Sequence, residues 1–330
     1  MAERTVLVTG ASGFLGGHVC RRLAEGGWRV RGLVRPGRAV APGVEPVTAA
    51  DLGNAAAAAR AVEGADAVVH LAARVHVMRD TSAHPLAEFR RVNVEGTRVL
   101  LDAAIRAGVR SFVLASSAKA MGEWTDAPWT EEAEPRPADP YGVSKLEAER
   151  LVLRRAAGTG TAATVLRLPL VYGPGVRANV LRLFDLVWRG VPLPLRGIRN
   201  RRTLLFSGNA AAAVEAVLAS PAAAGETFFV SDGRAVSTPE LVEMIAASLG
   251  RRARLVPLPL GLLRVAARAG DVLARVVPFP LTTAAVDRLT GSLEVDASRL
   301  ARVAGFVPPY TMEQGLAETA AWYRSAKEAR

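Results

Sequence analysis

Short runs of apolar residues alternate with longer amphipathic stretches through about the first 170 residues of the chain. The apolar runs have the length of buried strands, and the stretches between them repeat apolar residues at the spacing of one helix face. This alternation is typical of a parallel sheet joined by crossover helices. It predicts strands at residues 5–9, 29–34, 44–48, 67–71, 111–116 and 164–168, and helices at residues 13–25, 55–62, 86–107 and 140–157.

The pattern changes after Pro169, where glycines and prolines interrupt the chain at residues 172–175 and 190–197 with a helix between them. Strands are predicted at residues 203–206 and 227–230, on either side of an alanine-rich helix. Such irregular spacing differs from the regular alternation that precedes it, and it predicts a second, smaller unit of mixed structure.

Two pairs of polar residues in this second part have the spacing of helix capping boxes. Ser237 is followed three residues later by Glu240, and Thr311 by Gln314. A hydroxyl at the helix start accepts from a backbone N–H, and the side chain three residues on returns the bond. We therefore expect helices to begin at both places, and the last to end near residue 324.

Together these elements predict an α/β fold with a Rossmann-type doubly wound parallel sheet. Residues 1–172 are expected to form this domain, to which a segment at about 201–230 returns. Residues 173–330 are expected to form a smaller mixed α/β substrate-binding lobe. In sheets of this kind ligands bind at the carboxyl ends of the strands, so the functional residues are expected there.

Charge and cysteine content exclude some classes of function. The formal net charge is +11, yet all but three of the basic residues are arginine and no basic run is interleaved with aromatics. We therefore expect no nucleic-acid partner. Cys20 is the single cysteine, so an internal disulfide is excluded and a cytoplasmic location is expected. The longest uncharged apolar run, residues 255–263, is too short for a membrane-spanning segment, and we expect no metal site.

A glycine-rich turn between the first strand and the first helix predicts a dinucleotide site. Gly10, Gly13 and Gly16 are spaced by three, with Phe14 and Leu15 between the last two. Glycine permits the tight turn and the close approach of a pyrophosphate to the helix N-terminus. Arg35 follows the second strand, at the position where an acidic residue would bind a ribose 2′-hydroxyl. An arginine there can bind the 2′-phosphate of NADP, which favours NADP over NAD. The alternative is an ordinary surface arginine.

Tyr141 and Lys145 lie four residues apart, on one face of a predicted helix. A phenol with an ordinary pKa near 10 is a poor base at neutral pH, and a neighbouring ammonium favours its phenolate. Ser117 follows the strand at residues 111–116, at the edge where the cofactor is expected. A hydroxyl there can donate to a carbonyl oxygen while the tyrosine transfers a proton.

These features together resemble the extended short-chain dehydrogenase/reductases, which include UDP-glucose 4-epimerase and nucleotide-sugar dehydratases and reductases. The resemblance rests on the glycine turn, Tyr141 with Lys145, and the Leu166–Gly175 stretch, and it extends over nearly the whole chain. It implies NAD or NADP as cofactor and a nucleotide sugar as substrate. Besides the residues above, it implies cofactor contacts at Asp51, Leu52, Leu71, Ala72, Ala73, Asn93 and Pro169, and substrate contacts at Ser117, Asn179, Arg202 and Arg288.

One departure from the family pattern concerns the residues after the catalytic serine. Dehydratases of the family carry Thr-Asp-Glu where this chain has Ser117, Ala118 and Lys119. Removing water from a hexose needs an acid and a base besides the tyrosine, and these residues supply no carboxylate. Dehydration is therefore not expected.

The leading hypothesis is 4-epimerisation of a UDP-hexose or UDP-N-acetylhexosamine through a 4-keto sugar. The alternative is an NADPH-dependent reductase of a 4-keto sugar or another ketone. A non-catalytic NAD(P)-sensing regulator would need neither Tyr141 nor Lys145, so the intact pair argues against it. The resemblance also implies a homodimer formed through residues 86–107 and 140–157.

Residues 258–279 combine leucines and valines with three arginines, a basic amphipathic composition. Such a stretch predicts a peripheral contact with a membrane surface, or else a packed lid over the substrate.

Overall fold

The computed structural model describes residues 4–75, 84–273 and 282–328. Within these residues the strands are β1 (Thr5–Thr9), β2 (Arg29–Val34), β3 (Glu45–Thr48), β4 (Ala67–His70), β5 (Ser111–Ser117), β6 (Ala162–Leu168), β7 (Leu170–Tyr172), β8 (Arg202–Phe206), β9 (Thr227–Phe229) and β10 (Ala235–Val236). The helices are α1 (Phe14–Glu25), α2 (Ala55–Val62), α3 (Pro85–Arg90), α4 (Gly96–Arg106), α5 (Pro140–Ala156), α6 (Ala178–Trp188), α7 (Ser207–Ala219), α8 (Thr238–Ser248), α9 (Leu260–Leu273), α10 (Thr283–Thr290), α11 (Ser298–Ala304) and α12 (Met312–Glu328).

Seven strands form one parallel sheet in the order β3-β2-β1-β4-β5-β6-β9. The order reverses between β1 and β4, which is the switch point where ligands bind in doubly wound sheets. The predicted Rossmann-type fold is confirmed. A second sheet has the order β10-β8-β7, in which β7 and β8 are parallel and β10 is antiparallel.

Both faces of the large sheet are covered, which explains why its strands are continuous apolar runs. Val6 and Val8 of β1 pack with α1 and α7 on one face, whereas Leu7 packs with α2, α4 and α5 on the other. Alternate residues of a strand point to opposite faces, so one short run supplies two layers of core. A separate core built around Phe184, Phe206 and Tyr323 holds α6, α8 and α12 together.

Both predicted capping boxes are present. The Ser237 hydroxyl accepts from Glu240 N–H at the start of α8, and Glu240 accepts from Ser237 N–H in return. Gln314 accepts from Thr311 N–H at the start of α12, and the Thr311 hydroxyl accepts from Gln314 N–H. The last helix continues to Glu328, beyond the predicted end near residue 324.

The single helix predicted at residues 86–107 is wrong in one respect, because a π-helical turn at Arg91–Glu95 separates α3 from α4. An apolar periodicity does not distinguish a wider turn from a regular one. π-turns are frequent at functional sites, and this one carries the buried Asn93. The strand β7, which follows Pro169 directly, was not predicted either.

No helix within the described residues is both long and apolar enough to cross a membrane. Residues 274–279 of the predicted basic amphipathic stretch lie outside the described residues.

Candidate active site and cofactor-binding edge

The glycine-rich turn is shaped by contacts that leave no room for a side chain. Gly10 has a φ of +71°, and a Cβ there would lie 2.9 Å from the backbone nitrogen of Ala72. A Cβ at Gly16 would collide with the carbonyl oxygen of Gly10, so this glycine lets α1 pack tightly against the end of β1. Gly13 N–H donates to Gly10 O at 2.8 Å and closes the turn.

The N-terminus of α1 has free backbone donors. Its N-cap is Gly13, which has no side chain to accept from the first-turn N–H groups. By contrast, Asn54, Asp139 and Ser237 each cap their own helix with a side-chain oxygen. The amides of Phe14 and Leu15 therefore belong to a helix end that suits an anion. These observations fit the diphosphate of a dinucleotide.

Three predicted cofactor residues follow neighbouring strands at the same edge of the sheet. Arg35 is exposed directly after β2. Asp51 is also exposed, and its Oδ1 accepts from Gly53 N–H at 2.9 Å, which shapes the loop after β3. Leu52 is half-buried beneath it. This placement is compatible with the predicted contacts to adenine and ribose, which remain predictions.

Asn93 fixes the segment after β4 against α5. Its Oδ1 accepts from Arg74 N–H at 2.8 Å, and its Nδ2 donates to Arg74 O at 3.0 Å and to Ser144 Oγ at 2.9 Å. Ala72 N–H in the same segment donates to Thr9 Oγ1 at 3.1 Å. The half-buried Leu71, Ala72 and Ala73 are thus held beside the glycine turn.

Ser117, Tyr141 and Lys145 come together at the carboxyl ends of β5 and β6. Lys145 is buried, and its Nζ donates to Ala115 O in β5 at 2.6 Å. The ring of Tyr141 packs on Phe89, with centroids 6.0 Å apart. Asp139 caps α5 by accepting from Gly142 N–H, which sets the start of the helix and so the position of the tyrosine.

Burial opposes ionisation of both groups in this pair. It raises the pKa of Tyr141 to about 12, although a hydrogen bond with Ser117 acts to lower it. It lowers the pKa of Lys145 to about 8, whereas the carboxylate of Glu149 acts to raise it. A positive charge beside the phenol would therefore be needed to bring it into the working range.

A buried ion pair lies one helical turn beyond Lys145. Arg167 Nη2 in β6 donates to Glu149 Oε2 at 2.9 Å, and the Ser116 hydroxyl donates to the same carboxylate. Both charged side chains are less than 10% exposed. Sequence reasoning missed this pair, although Tyr141, Lys145 and Glu149 are spaced by four on one helix face.

Lys119 pairs with two carboxylates near Ser117, the predicted catalytic serine. Its Nζ donates to Asp139 Oδ2 at 2.6 Å and to Glu123 Oε1 at 2.9 Å. Burial acts to raise the pKa of Asp139, but the hydrogen bonds from Lys119 and Gly142 N–H outweigh it and lower the pKa. Asp139 is therefore held as a carboxylate that caps α5, and it is not a proton donor.

Two of the predicted substrate residues meet in the second lobe. Arg202 is at the start of β8, and its Nη1 donates to the carbonyl oxygens of Arg288 at 2.7 Å and of Gly291 at 3.0 Å. Burial lowers the pKa of Arg202, and Glu123 acts to raise it. Glu123, which also accepts from Lys119 Nζ, therefore lies within electrostatic range of Arg202.

The remaining two predicted residues lie on either side of β7. Asn179 is exposed in the first turn of α6, and Pro169 is buried between β6 and β7. No hydrogen bond within the described residues joins Asn179 to Arg202.

His70, at the end of β4, makes the stability of this edge dependent on pH. The ring lies between Thr9 Oγ1 at 2.7 Å and Thr97 Oγ1 at 2.9 Å, and burial lowers its pKa to about 3. In the unfolded state this histidine has its ordinary pKa near 6.5. Between about pH 3 and pH 6.5 the unfolded state therefore binds more protons than the folded state. Stability should fall as the pH falls through this window, by about 2 kcal/mol from pH 7 to pH 5.

The measurement is urea unfolding of the wild-type protein and of His70→Gln at about pH 7 and about pH 5. Both pH values lie above the range in which most carboxylates titrate. The variant should lose less stability than the wild type between the two. Equal losses in the two proteins would show that His70 is not the source of the dependence.

The chain is similar to a family of known proteins along most of its length. Residues 6–231 match the model of the NAD dependent epimerase/dehydratase family. UDP-glucose 4-epimerase of Vibrio cholerae is 34% identical over 321 residues, covering 96% of this chain and 94% of that protein. Ceramide reductase of Caulobacter vibrioides is 32% identical over 334 residues, covering 98% of this chain and 96% of that protein. The solved structure of MoeE5 in complex with UDP-glucuronic acid and NAD is 28% identical, with a TM-score of 0.77 and coverage of 98% of this chain and 99% of that one.

Proposed function

The chain belongs to the NAD dependent epimerase/dehydratase family of extended short-chain dehydrogenase/reductases, and we propose that it is a nucleotide-sugar 4-epimerase. The substrate is a UDP-hexose or a UDP-N-acetylhexosamine, which reacts through a transient 4-keto sugar. The observation that carries the proposal is the group formed by Ser117, Tyr141 and Lys145 beside the glycine turn.

Tyr141 acts as the proton-transfer group. Its phenolate oxygen takes the proton of the sugar C4 hydroxyl, and Ser117 donates a hydrogen bond to the oxygen that becomes the ketone. Lys145 is proposed to favour the phenolate by its charge, and the carboxylate of Glu149 acts to raise the pKa of this ammonium group. NAD, which the turn of Gly10, Gly13 and Gly16 would hold, would supply an acceptor and donor for the hydride of C4. Tyr141 then returns the proton to the C4 oxygen. One cycle therefore leaves no net oxidation of the sugar and no net change in the cofactor.

Arg202 and Arg288 are proposed to bind the diphosphate of the substrate, and Asn179 to contact it as well. The guanidinium of Arg202 is held by two backbone carbonyls, so its position is fixed before a substrate arrives. An arginine presents several N–H donors to phosphate oxygens, which makes it suited to this task.

Lys119 argues against elimination of water. The carboxylates of Asp139 and Glu123 are each engaged by the ammonium group of Lys119, at 2.6 and 2.9 Å. The hydrogen bonds from Lys119 and Gly142 N–H lower the pKa of Asp139 despite its burial, so this carboxyl group is a poor general acid. The site thus supports proton transfer by one tyrosine rather than by a set of acids.

The second candidate is an NADPH-dependent reductase of a 4-keto sugar or another ketone. The exposed Arg35 favours it, because its position after β2 suits a 2′-phosphate. A 32% identical relative is a ceramide reductase, which also supports a net reduction.

The two candidates differ in what the purified protein carries. An epimerase that closes its redox cycle should retain NAD, so denaturing the protein should release close to one NAD per chain, measured by mass spectrometry. Incubation with UDP-glucose or UDP-N-acetylglucosamine should then yield the 4-epimer without added cofactor. A protein that is empty, and that oxidises NADPH only with a keto substrate, would replace this proposal by the reductase.

A cytoplasmic location and a homodimer formed through α4 and α5 remain predictions. Size measurement of the purified protein in solution tests the second.

A further inference from the structure

The helix α9 exposes an apolar face to solvent. Leu263, Ala267 and Gly270 form its buried side, which packs on Leu258 and Val286. The opposite side carries apolar residues at the spacing of one helix face, namely Leu262, Val265, Ala266, Ala269, Val272 and Leu273. The large ones among them are between 44% and 62% exposed. A helix that packs on one side only usually turns mostly polar residues outward, whereas much of the outward surface of this one is apolar.

Exposed apolar side chains are concentrated in this part of the surface. Among the described residues, eleven large hydrophobic side chains are exposed, and six of them fall between residues 256 and 273. Single exposed hydrophobic residues are ordinary, whereas a contiguous group of them marks an interaction surface. We therefore treat this face as an interaction surface.

The charges beside this face are almost all positive. Residues 251–273 contain five arginines and a single acidic residue, Asp271. The carboxylate of Asp271 accepts from the backbone N–H and the hydroxyl of Thr283, so it is already engaged. Arg264 and Arg268 lie on the flank of the apolar stripe, both exposed, and neither forms an ion pair with a described residue. An anionic surface would complement them.

We propose that α9 docks the protein on an anionic lipid bilayer. The apolar stripe would enter the boundary between headgroups and acyl chains, and Arg264 and Arg268 would contact lipid phosphates. The 14 residues of α9 give a contact about 21 Å long. A second copy of the chain is a poorer occupant, because a two-fold contact through the same face brings like charges together.

This surface lies close to the proposed substrate site. A cavity of about 260 Å³ separates α9 from the loop before β8, with Leu260 and Leu263 on one side and Asn200 on the other. Asn200 Nδ2 donates to Gly291 O, the same carbonyl oxygen that accepts from Arg202. Docking would hold the diphosphate-binding residues near the membrane, where a substrate carried by a lipid could reach them; this consequence rests on the proposed function.

The docking itself is tested without any substrate. The purified full chain is sedimented with vesicles of phosphatidylcholine containing about one third phosphatidylglycerol, and with vesicles of phosphatidylcholine alone. We expect binding to the first and at least tenfold weaker binding to the second. Arg264→Glu with Arg268→Glu should weaken binding to anionic vesicles about tenfold or more, since each arginine near such a surface contributes about 1 kcal/mol.

Matched variants separate docking from folding and from net charge. Arg60→Glu with Arg106→Glu makes the same change of charge at exposed sites in α2 and α4, and should bind vesicles nearly as the wild type does. Leu262→Glu with Val265→Glu should abolish binding while leaving the thermal unfolding midpoint unchanged, because both side chains are exposed.

Three results would overturn the proposal. The first is that the protein does not sediment with anionic vesicles. The second is that Arg60→Glu with Arg106→Glu weakens vesicle binding as much as Arg264→Glu with Arg268→Glu does. The third is that the protein is a dimer that binds no vesicles and that Leu262→Glu with Val265→Glu converts to a monomer. Epimerase activity towards a water-soluble UDP-sugar is measured separately, so that a failure of docking and a failure of the proposed reaction remain distinguishable.

Discussion

Tyr141→Phe is expected to lower turnover by a factor of about a hundred to ten thousand, with cofactor binding retained. The substitution removes only the hydroxyl group. Burial raises the pKa of this group to about 12, although its hydrogen bond with Ser117 acts to lower it. The ring still packs on Phe89, and Lys145 still donates to Ala115 O, so the cofactor edge keeps its shape. Turnover is measured as conversion between the two C4 epimers, and bound NAD by mass spectrometry.

Tyr310→Phe is the matched control for this result. Its ring packs on Phe206 in the second lobe, with centroids 5.3 Å apart, away from the catalytic group. It loses the same hydroxyl and should keep wild-type turnover. Full activity of Tyr141→Phe would remove the tyrosine from the mechanism, whereas loss of NAD from this variant would show that its effect is on binding.

Arg167→Met is expected to lower the free energy of unfolding by about 3–5 kcal/mol. The arginine is paired with Glu149 between β6 and α5, where both side chains are almost completely buried. Removing Arg167 leaves the buried carboxylate without its paired guanidinium, with the Ser116 hydroxyl as a remaining donor and the charge of Lys145 nearby. Urea unfolding of the two proteins at neutral pH measures the loss.

Two further variants decide whether the loss comes from the uncompensated charge. Arg167→Met combined with Glu149→Leu should recover most of the stability, because a buried pair replaced as a whole by apolar side chains costs little. Arg110→Met breaks the exposed pair with Asp66 and should cost about 1 kcal/mol or less. A loss below 1 kcal/mol for Arg167→Met would mean that water reaches the carboxylate in the folded protein.

The fold, and the placement of Tyr141 and Lys145 on one helix face, could be predicted because each depends on local patterns. Apolar runs with helical stretches between them fix a parallel sheet, and the spacing of Gly10, Gly13 and Gly16 fixes the turn at its edge. Tyr141 and Lys145 share a helix face by their spacing alone. These signals lie within a few residues of one another, so no knowledge of the tertiary structure is needed.

The features that were missed depend on contacts between distant parts of the chain. Glu149 lies in a predicted helix and Arg167 in a predicted strand. The local pattern of neither element indicates that the two side chains pair in the core. Lys119 was noted only as a departure from a family pattern, and its carboxylate partner Asp139 lies twenty positions away. The π-turn around Asn93 leaves the apolar periodicity almost unchanged, so the sequence carries no clear signal for it.

The ammonium group of Lys119 also restricts how this protein could diverge. Lys119→Glu, the obvious first step towards a water-eliminating relative, would bring a third carboxylate to a place where Glu123 and Asp139 now share one cation. Like charges this close resist joint ionisation, and Asp139 is needed to start the helix that carries Tyr141. Neutralising Glu123 first would leave two carboxylates there instead of three. We therefore expect that a route between the two chemistries that changes Glu123 before Lys119 costs less at the start of this helix than the reverse order.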